Sequence, residues 1–247
     1  LGKSAAPFDA GYLPIWQQGY AMQYELTQSD RKLLESARQK LLQRRQQHRQ
    51  IPVDEKLLAG LNGLALSALS LAYKELDVAE FKKTAGAIAR YITRSVIEDG
   101  DLIRASREGK PIGQASLADY AFVAEGFWHY YLLTGSQDDM NIAQSIIDAA
   151  WEKFYSSAGW NLGDMAGIES AGRQAIIADG PQASPSSVLL DISYQLAKKT
   201  GDKQLGEKVQ NALGFDALGL SRDPFWYASQ VGVIADVFLD STEKSID

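Results

Sequence analysis

The sequence contains no cysteine and only two histidines among its 247 residues. The absence of cysteine excludes disulfide bonds, thiolate catalysis and metal sites built on sulfur ligands. His48 lies in a basic stretch, and His129 lies in an aromatic stretch that is typical of a packed helix. Sugar epimerisation that uses a pair of histidines as acid and base is therefore not expected.

Several functional motifs are also missing. No apolar run reaches the roughly 18–20 residues that a membrane helix needs, so we expect no membrane partner. The sequence has no phosphate-binding glycine loop, no dinucleotide fingerprint, no HExxH pair and no EF-hand loop. We therefore predict no cofactor and no metal site.

The net charge is −6 and the isoelectric point is about 5.1, which argues against general nucleic-acid binding. One basic face, carried by arginines and lysines between Arg31 and Arg49, has two interpretations. It could contact RNA or another anion, or it could be a solvated helix face paired to acidic neighbours, and we favour the second. No nucleic-acid partner is predicted.

The composition is that of a globular protein, with 45% hydrophobic, 23% charged and 10% aromatic residues. Long strand-like alternation is missing, so one all-α domain over residues 27–240 is expected. Residues 1–26 are rich in glycine, proline and aromatic residues, and they read as irregular structure. Residues 241–247 read as a tail.

Apolar residues recur with helical spacing along most of this domain. The longest such stretch begins at Asp54, which we expect to cap the helix, and it contains the polar pair Asn62-Gly63. The predicted helices cover about 29–48, 54–76, 78–96, 116–133, 138–155, 184–199, 203–213 and 225–238.

Short and long connections alternate between these helices. Short turns are predicted at 75–78, 134–138 and 200–202, whereas 101–114 and 156–184 are long, with short β-hairpins. Stacked antiparallel hairpins place all short turns at one end and all long loops at the other. The sequence therefore predicts a partial or complete (α/α)6 toroid, or an open solenoid, with its site at the long-loop end.

Four segments, in order, resemble the YyaL/spermatogenesis-associated-20 family between about residues 33 and 213. They read RRQQHRQIPVDEKLLAGLNGL, GDLIRASREGK, LADYAFVAEGFWHYYLLTGSQDD and ADGPQASPSSVLLDISYQLAKKTGD. The matching positions are Arg45, Arg49, Pro52, Asp54, Glu55, Lys56, Leu61, Asn62, Gly63, Leu64, Arg104, Gly109, Asp119, Tyr120, Ala121, Asp179, Pro185 and Ser186.

The resemblance implies the six-hairpin toroid of that family, without its thioredoxin-like domain. Leu61 stands where the family has tryptophan, and Ser187-Val188-Leu189 replaces its Gly-Asn-Ser. About eight helices are predicted, whereas a closed ring has twelve. Six-hairpin folds often bind sugars, so the resemblance implies a carbohydrate or another small polar ligand in the long-loop cavity.

Candidate catalytic residues are Asp54 and Asp119, because inverting glycoside hydrolysis uses two carboxyl groups. The alternative is that these aspartates cap helices or form salt bridges, as Asp54 could with Lys56 or Arg104. Trp160, on a long loop, is a candidate pocket wall, and Trp226 could also stack on a sugar ring. The predicted ligand-binding residues are Lys56, Asn62, Arg104, Tyr120, Trp160, Asp179 and Ser186.

A second function remains open. An incomplete ring leaves apolar helix faces that a partner chain or a second copy would cover, as in a non-catalytic interaction subunit. The chain begins with Leu1, which is typical of a processed chain or a fragment. Cytoplasmic localisation is slightly favoured over export.

Overall fold

A computed structural model describes residues 2–3, 14–15, 26–48, 54–98, 101–163, 177–213, 220 and 223–243. The chain divides into two compact units, Leu1–Asp54 and Glu55–Asp247. This boundary lies within the predicted domain of residues 27–240. The division of the chain into residues 1–26, 27–240 and 241–247 stays a prediction. Most of the predicted irregular segment, and the end of the tail beyond residue 243, lie outside the described residues.

In its described residues, the first unit contains two short strands and one helix. Strands β1 (Gly2–Lys3) and β2 (Pro14–Ile15) pair antiparallel, and helix α1 spans Gln28–His48. Thr27 and Asp30 cap this helix, because the side chain of each accepts the backbone N–H of the other.

The leucines of α1 recur with helical spacing, which predicts a buried face, but this prediction is wrong for most of the helix. Leu33 and Leu41 are 70% and 60% exposed. In the described part of the first unit, no second apolar element covers them. Helical periodicity marks an apolar face, but it does not show that a partner element lies beside that face.

The second unit is built from α-helices, as predicted. These are α2 (Ala59–Leu76), α3 (Ala79–Ser95), α4 (Leu117–Thr134), α5 (Gln137–Phe154), α6 (Pro185–Thr200), α7 (Lys203–Leu213) and α8 (Ala228–Glu243). A single 3₁₀ turn, Pro224–Tyr227, leads into α8. Because this turn precedes it, α8 begins three residues later than predicted, and it continues beyond the predicted end at 238.

The helices form two rows. Helices α2, α4, α6 and α8 pack side by side as an inner row, and α3, α5 and α7 pack outside them as hairpin partners. The inner helices run parallel. Residues that contact each other on two neighbouring inner helices differ in number by a nearly constant amount, as expected when both helices run in the same direction. Trp128 of α4 bonds Gln195 of α6, and Ser187 of α6 bonds Gln230 of α8. This is the predicted stack of antiparallel hairpins.

Short turns close the three hairpins at what we call the turn end. Asp77, Gly135 and Gly201 follow the inner helices in the left-handed backbone region, with φ of 51°, 68° and 75°. Each donates its backbone N–H to the helix carbonyl four residues earlier. The three predicted short turns are therefore confirmed.

Short strands lie at the opposite end, where the inner helices begin, which we call the loop end. They are β3 (Leu57–Leu58), β4 (Ile97–Glu98), β5 (Asp101–Arg107), β6 (Lys110–Gln114), β7 (Tyr155–Ser156) and β8 (Gly159–Trp160). Strand β5 pairs antiparallel with β3, β4 and β6, and β7 pairs with β8. The predicted β-hairpins in the long loops are confirmed.

The start of α2 differs from the prediction. Asp54 does not cap it, because residues 54–56 have no regular structure and α2 begins at Ala59. Leu57 and Leu58 pair instead with Ser106 and Ala105 of β5. A strand partner from a distant part of the chain therefore delays the helix.

Two glycines allow α2 and α4 to touch through their backbones. A Cβ atom on Gly63 would lie 2.4 Å from the carbonyl oxygen of Phe122, and one on Gly126 would lie 2.6 Å from the carbonyl oxygen of Gly63. Only glycine fits at both positions without moving a helix. The polar pair Asn62-Gly63 therefore marks a close helix crossing, as its place in an apolar run indicated.

Aromatic side chains fill much of the core between the two rows. Trp128, Trp151 and Trp160 are each at most 3% exposed. The rings of Trp151 and Trp160 lie 5.0 Å apart, centroid to centroid, and Tyr155 contacts both. Within the described residues, the helices fall short of the length and apolar character that spanning a membrane would need.

Candidate functional site

A cleft of about 500 Å³ opens at the loop end of the second unit. It lies between the β5–β6 hairpin, the first turn of α4 and the end of α5. Its walls combine hydrogen-bonding groups with apolar carbons, and they include Asp101, Leu102, Ile103, Gln114, Tyr120, Lys153, Phe154 and Asn161. Every one of these residues belongs to the second unit.

Three side chains form a charged and hydrogen-bonded group in the cleft wall. The Lys153 ammonium lies 3.0 Å from Asp101 Oδ1, and the Tyr120 hydroxyl donates to the same oxygen at 3.2 Å. The Tyr120 oxygen also accepts the backbone N–H of Leu102 at 3.2 Å. This group offers a cation, an anion and a phenol within one small region.

Protonation states in this group follow from its surroundings. Burial raises the pKa of Tyr120, so its hydroxyl stays protonated at neutral pH. The hydrogen bond to Asp101 raises the pKa of Lys153, which keeps the ammonium charged. Asp101 and Lys153 are more exposed than Tyr120, so their charges are accessible to a ligand.

Of the nine residues predicted from the sequence, Tyr120 is the one that lines this cleft. Asp101 and Gln114, which were not singled out, are the two ends of the polar stretch DLIRASREGKPIGQ. The signal that could have identified them is the position of this polar stretch directly before an aromatic helix. Lys153 lies near the end of α5 and Asn161 follows β8, and only the fold brings them here.

Asp119 is buried and holds helix starts together. Its carboxylate accepts the backbone N–H and the hydroxyl of Ser116 at 2.9 and 2.8 Å, and the backbone N–H of Gly60 at 3.2 Å. It is 8% exposed. These contacts match the alternative that Asp119 caps its own helix, α4. The bond from Gly60 shows that it also accepts a hydrogen bond from the start of α2.

Asp179 holds the starts of α6 and α8. It accepts the backbone N–H of Ser184 at 2.8 Å and that of Ser229 at 2.9 Å. Burial alone would raise the pKa of Asp179, but hydrogen bonds from Ser229, Ser184 and Ala228 lower it below its ordinary value. The carboxylate is therefore ionised at neutral pH and fixed between two helices.

The other predicted ligand-binding residues of the inner row also make internal contacts. Asn62 donates its side-chain amide to the carbonyl of Leu58 at 2.8 Å. Ser186 is fully buried, and its hydroxyl lies 3.0 Å from that of Ser184. Trp160 is 1% exposed, so its ring belongs to the core and does not form a cleft wall.

The remaining predicted residues are exposed. Asp54 is the last residue of the first unit, and Lys56 lies in the second unit just before β3. Arg104 lies on β5, and its aliphatic carbons pass beside Gly113 of β6. Catalytic roles for Asp54 and Asp119 therefore remain predictions.

A carboxyl pair on the inner row was missed by the sequence reasoning. Burial raises the pKa of Glu125 on α4 to about 7, and the nearby Asp191 of α6 adds to the rise. Burial raises the pKa of Asp191 as well, although Gln195 donates to both of its oxygens at 2.9 and 3.0 Å. Glu125 can therefore exchange a proton near neutral pH.

His129 lies one turn beyond Glu125 on the same helix. Its Nδ1 is 2.8 Å from the Ser67 hydroxyl of α2, in agreement with the packed histidine that the sequence indicated. Burial and the charge of Lys74 lower the pKa of His129, so the ring is neutral at pH 7. Among the described residues, no group of three or more acidic or histidine side chains could hold a metal ion.

No family profile and no curated protein sequence matches this chain significantly. Solved structures do match its fold. An α-mannanase from Bacteroides thetaiotaomicron is 13% identical with a TM-score of 0.55, over 81% of this chain and 55% of its own. A cellobiose 2-epimerase from Bacillus thermoamylovorans is 18% identical with a TM-score of 0.53, over 66% and 45%.

A sugar epimerase from a ruminal bacterium is also similar, at 19% identity and a TM-score of 0.52 over 66% of this chain and 44% of its own. These proteins have the (α/α)6 toroid fold, which confirms the predicted fold class. The chain spans about half the length of the structures it matches. At these identities the likeness concerns the fold.

Proposed function

We propose that the second unit binds a carbohydrate, or another small polar ligand, in the loop-end cleft. The observation that carries this proposal is the cleft wall in which Asp101, Tyr120 and Lys153 meet. A hydroxyl-rich ligand needs donors and acceptors side by side, and this group supplies both. Leu102 and Phe154 add apolar surface for the carbon face of a sugar ring.

The neighbours in fold support the same ligand class. An α-mannanase and two sugar epimerases act on carbohydrates by their names, and they share the helical toroid with this chain. Fold alone does not determine function, so the proposal rests on the cleft and takes support from the neighbours. Membership in the YyaL/spermatogenesis-associated-20 family is a further proposal that rests on the four sequence segments.

Processing of the ligand would need an acid and a base. Glu125 and Asp191 are better suited to proton exchange than Asp119, whose two oxygens already accept three hydrogen bonds. Neither Glu125 nor Asp191 lines the loop-end cleft, however, so we propose ligand binding there and assign no proton transfer.

Isothermal titration calorimetry with cellobiose and mannobiose tests the binding proposal. We expect millimolar or tighter binding of at least one sugar, weakened about tenfold or more in Lys153→Ala, because a charged hydrogen-bond donor is lost. Lys110→Ala is the matched control, since Lys110 is an exposed lysine on β6, one of the strands beside the cleft, and does not line the cleft. If neither sugar binds the unmodified protein, the proposal is wrong.

An interaction subunit is the alternative function, and one observation favours it. Leu61 and Leu71 of α2 and Leu132 of α4 are 52%, 42% and 53% exposed. Apolar side chains that are exposed together on adjacent helices are typical of a surface that a partner chain or a second copy covers. Sedimentation velocity distinguishes the two functions, because a monomer over a wide concentration range argues against self-association through this face.

A further inference from the structure

The 3₁₀ turn before α8 carries two aromatic side chains on its surface. Phe225 is 77% exposed and Trp226 is 52% exposed. Their rings meet edge to face, with centroids 5.5 Å apart. The three other described tryptophans are at most 3% exposed, so Trp226 differs from the tryptophans of the core.

Backbone hydrogen bonds fix the position of this turn. The Asp179 N–H donates to the carbonyl of Trp226 at 2.7 Å, and the Asp179 carboxylate accepts the Ser229 N–H just after the turn. The Trp226 N–H donates to the carbonyl of Asp223. The aromatic pair is therefore held in place before any ligand arrives, which lowers the entropic cost of binding.

The turn lies at the same end of the second unit as the cleft. Asp179 joins the starts of α6 and α8, and Asp119 joins the starts of α2 and α4. Since the inner helices run parallel, these four starts lie at the loop end. The cleft opens beside the start of α4, and the aromatic turn precedes α8.

The exposed area of the two rings themselves is close to what one sugar ring covers. Two partly exposed rings offer on the order of 300 Å² or less, since a whole aromatic side chain buries about 150–250 Å². A stable protein interface needs about 800 Å² from each partner. A flat aromatic ring is comparable in size with one pyranose ring, whose C–H bonds pack against the ring face.

We infer that Phe225 and Trp226 form a second sugar-binding position that stacks on a distal ring of an oligosaccharide. This inference rests on the proposed function, because the loop-end cleft holds the first sugar. A second position extends the expected ligands to oligosaccharides, because chains of several sugar units would fill both positions and bind more tightly than disaccharides. Asp179 acts here as a positioning residue, because it fixes the backbone of the turn and does not contact the ligand.

Calorimetry with cellobiose, cellotetraose, mannobiose and mannotetraose tests this inference. In the unmodified protein we expect one tetrasaccharide to bind more tightly than its disaccharide. Trp226→Ala should weaken the tetrasaccharide about fivefold to tenfold and change the disaccharide less than twofold. Trp226→Tyr should retain most of the affinity, because a tyrosine ring also stacks.

Leu132→Ala is the control, because Leu132 is equally exposed but lies near the turn end. Tryptophan fluorescence gives a second measurement: the tetrasaccharide should shift the emission of the unmodified protein but not that of Trp226→Phe.

Each remaining outcome overturns the inference. An unchanged tetrasaccharide affinity in Trp226→Ala, with Lys153→Ala still weakened, overturns the second position and leaves the cleft proposal intact. Absence of any sugar binding overturns both. Loss of a dimer in Trp226→Ala would show that the aromatic pair is a protein contact.

Discussion

Helices α2 and α4 approach backbone to backbone and also share the Ser67–His129 side-chain contact, whereas helices α6 and α8 are joined by hydrogen-bonded side chains. At the first contact, Gly63 and Gly126 remove side chains so that the helix backbones meet. At the second, Ser187 donates to Gln230 at 2.9 Å and Tyr194 donates to Asp240 at 2.8 Å. Lys198 also pairs with Asp240.

The difference shows how similar helical hairpins can be joined in one row by different means. Backbone contact tolerates almost no added volume, because a packed interior cannot shift to accept one atom. Hydrogen-bonded contact tolerates changes of size better, but each buried polar group must keep its partner. Between the two contacts lies the carboxyl pair Glu125 and Asp191, where α4 meets α6.

The largest effect is expected when the backbone contact is broken. Gly63→Ala places a methyl group 2.4 Å from the Phe122 carbonyl oxygen, so α2 and α4 must separate. We expect the free energy of unfolding to fall by about 3 kcal/mol or more. Urea denaturation followed by circular dichroism measures this change.

Gly206→Ala is the control for that experiment. Gly206 also lies inside a helix, but a Cβ atom there would meet only the Ala197 methyl at 3.9 Å. Helix propensity then predicts no loss, or a gain of about 0.5–1 kcal/mol. Equal losses in the two variants would contradict the role of close approach.

Breaking the hydrogen-bonded contact between α6 and α8 should lower the free energy of unfolding by less than Gly63→Ala does. Gln230→Ala leaves the buried Ser187 hydroxyl without its acceptor, and we expect a loss of about 2 kcal/mol. The double variant Ser187→Ala, Gln230→Ala should be less destabilised than the sum of the two single variants. Strict additivity would show that the two side chains do not stabilise one another.

The carboxyl pair between the two contacts should produce a pH dependence. The pKa of Glu125 is raised from 4.5 to about 7, so the folded state holds its proton where the unfolded state has lost it. Stability from this group is fully present below pH 4.5 and is lost as the pH rises through 7. Because the side chain is only partly buried, we expect a loss of about 2 kcal/mol between pH 5 and pH 8.

Glu125→Gln tests this prediction, because glutamine does not ionise. Near pH 5 the variant and the unmodified protein should be about equally stable, and at pH 8 the variant should be more stable. The exposed Glu207→Gln on α7 is the control and should leave the pH profile unchanged. A stability difference between the unmodified protein and Glu125→Gln that stays constant from pH 5 to pH 8 would contradict the raised pKa of Glu125, whereas the lowered pKa of His129 gives both proteins a slope of the opposite sign. Asp191, whose pKa is also raised by burial, contributes a slope in both proteins.

Helix positions were predictable because their signals are local. The predicted range of α7, 203–213, agrees with the structure, and α4, α5 and α6 are each within one residue of their predicted bounds. Asp54 illustrates the limit of such signals: it has the form of a helix cap, but pairing of Leu57 and Leu58 with β5 delays α2. Local propensity there is outweighed by a strand about fifty residues away.

The candidate site was predicted less well than the fold. Tyr120 was identified, but Lys153, near the end of α5, and Asn161, just after β8, reach the cleft only through the fold. Asp119 and Asp179 were identified as chemically important, and the structure shows each joining the starts of two helices. An aspartate before or within the first turn of a helix looks the same in sequence whether it binds ligand or caps the helix.

The sequence by itself determined the helical hairpins, their short turns and the (α/α)6 type of packing, because periodicity and turn residues act within a few residues. The close approach at Gly63 was also visible, since a glycine in an apolar helix needs a packing reason. Only the tertiary structure decided which side chains meet across hairpins. Glu125 and Asp191, or Asp101 and Lys153, are separated by more than fifty residues, so their charges interact only once the helices and the β5–β6 hairpin have packed together.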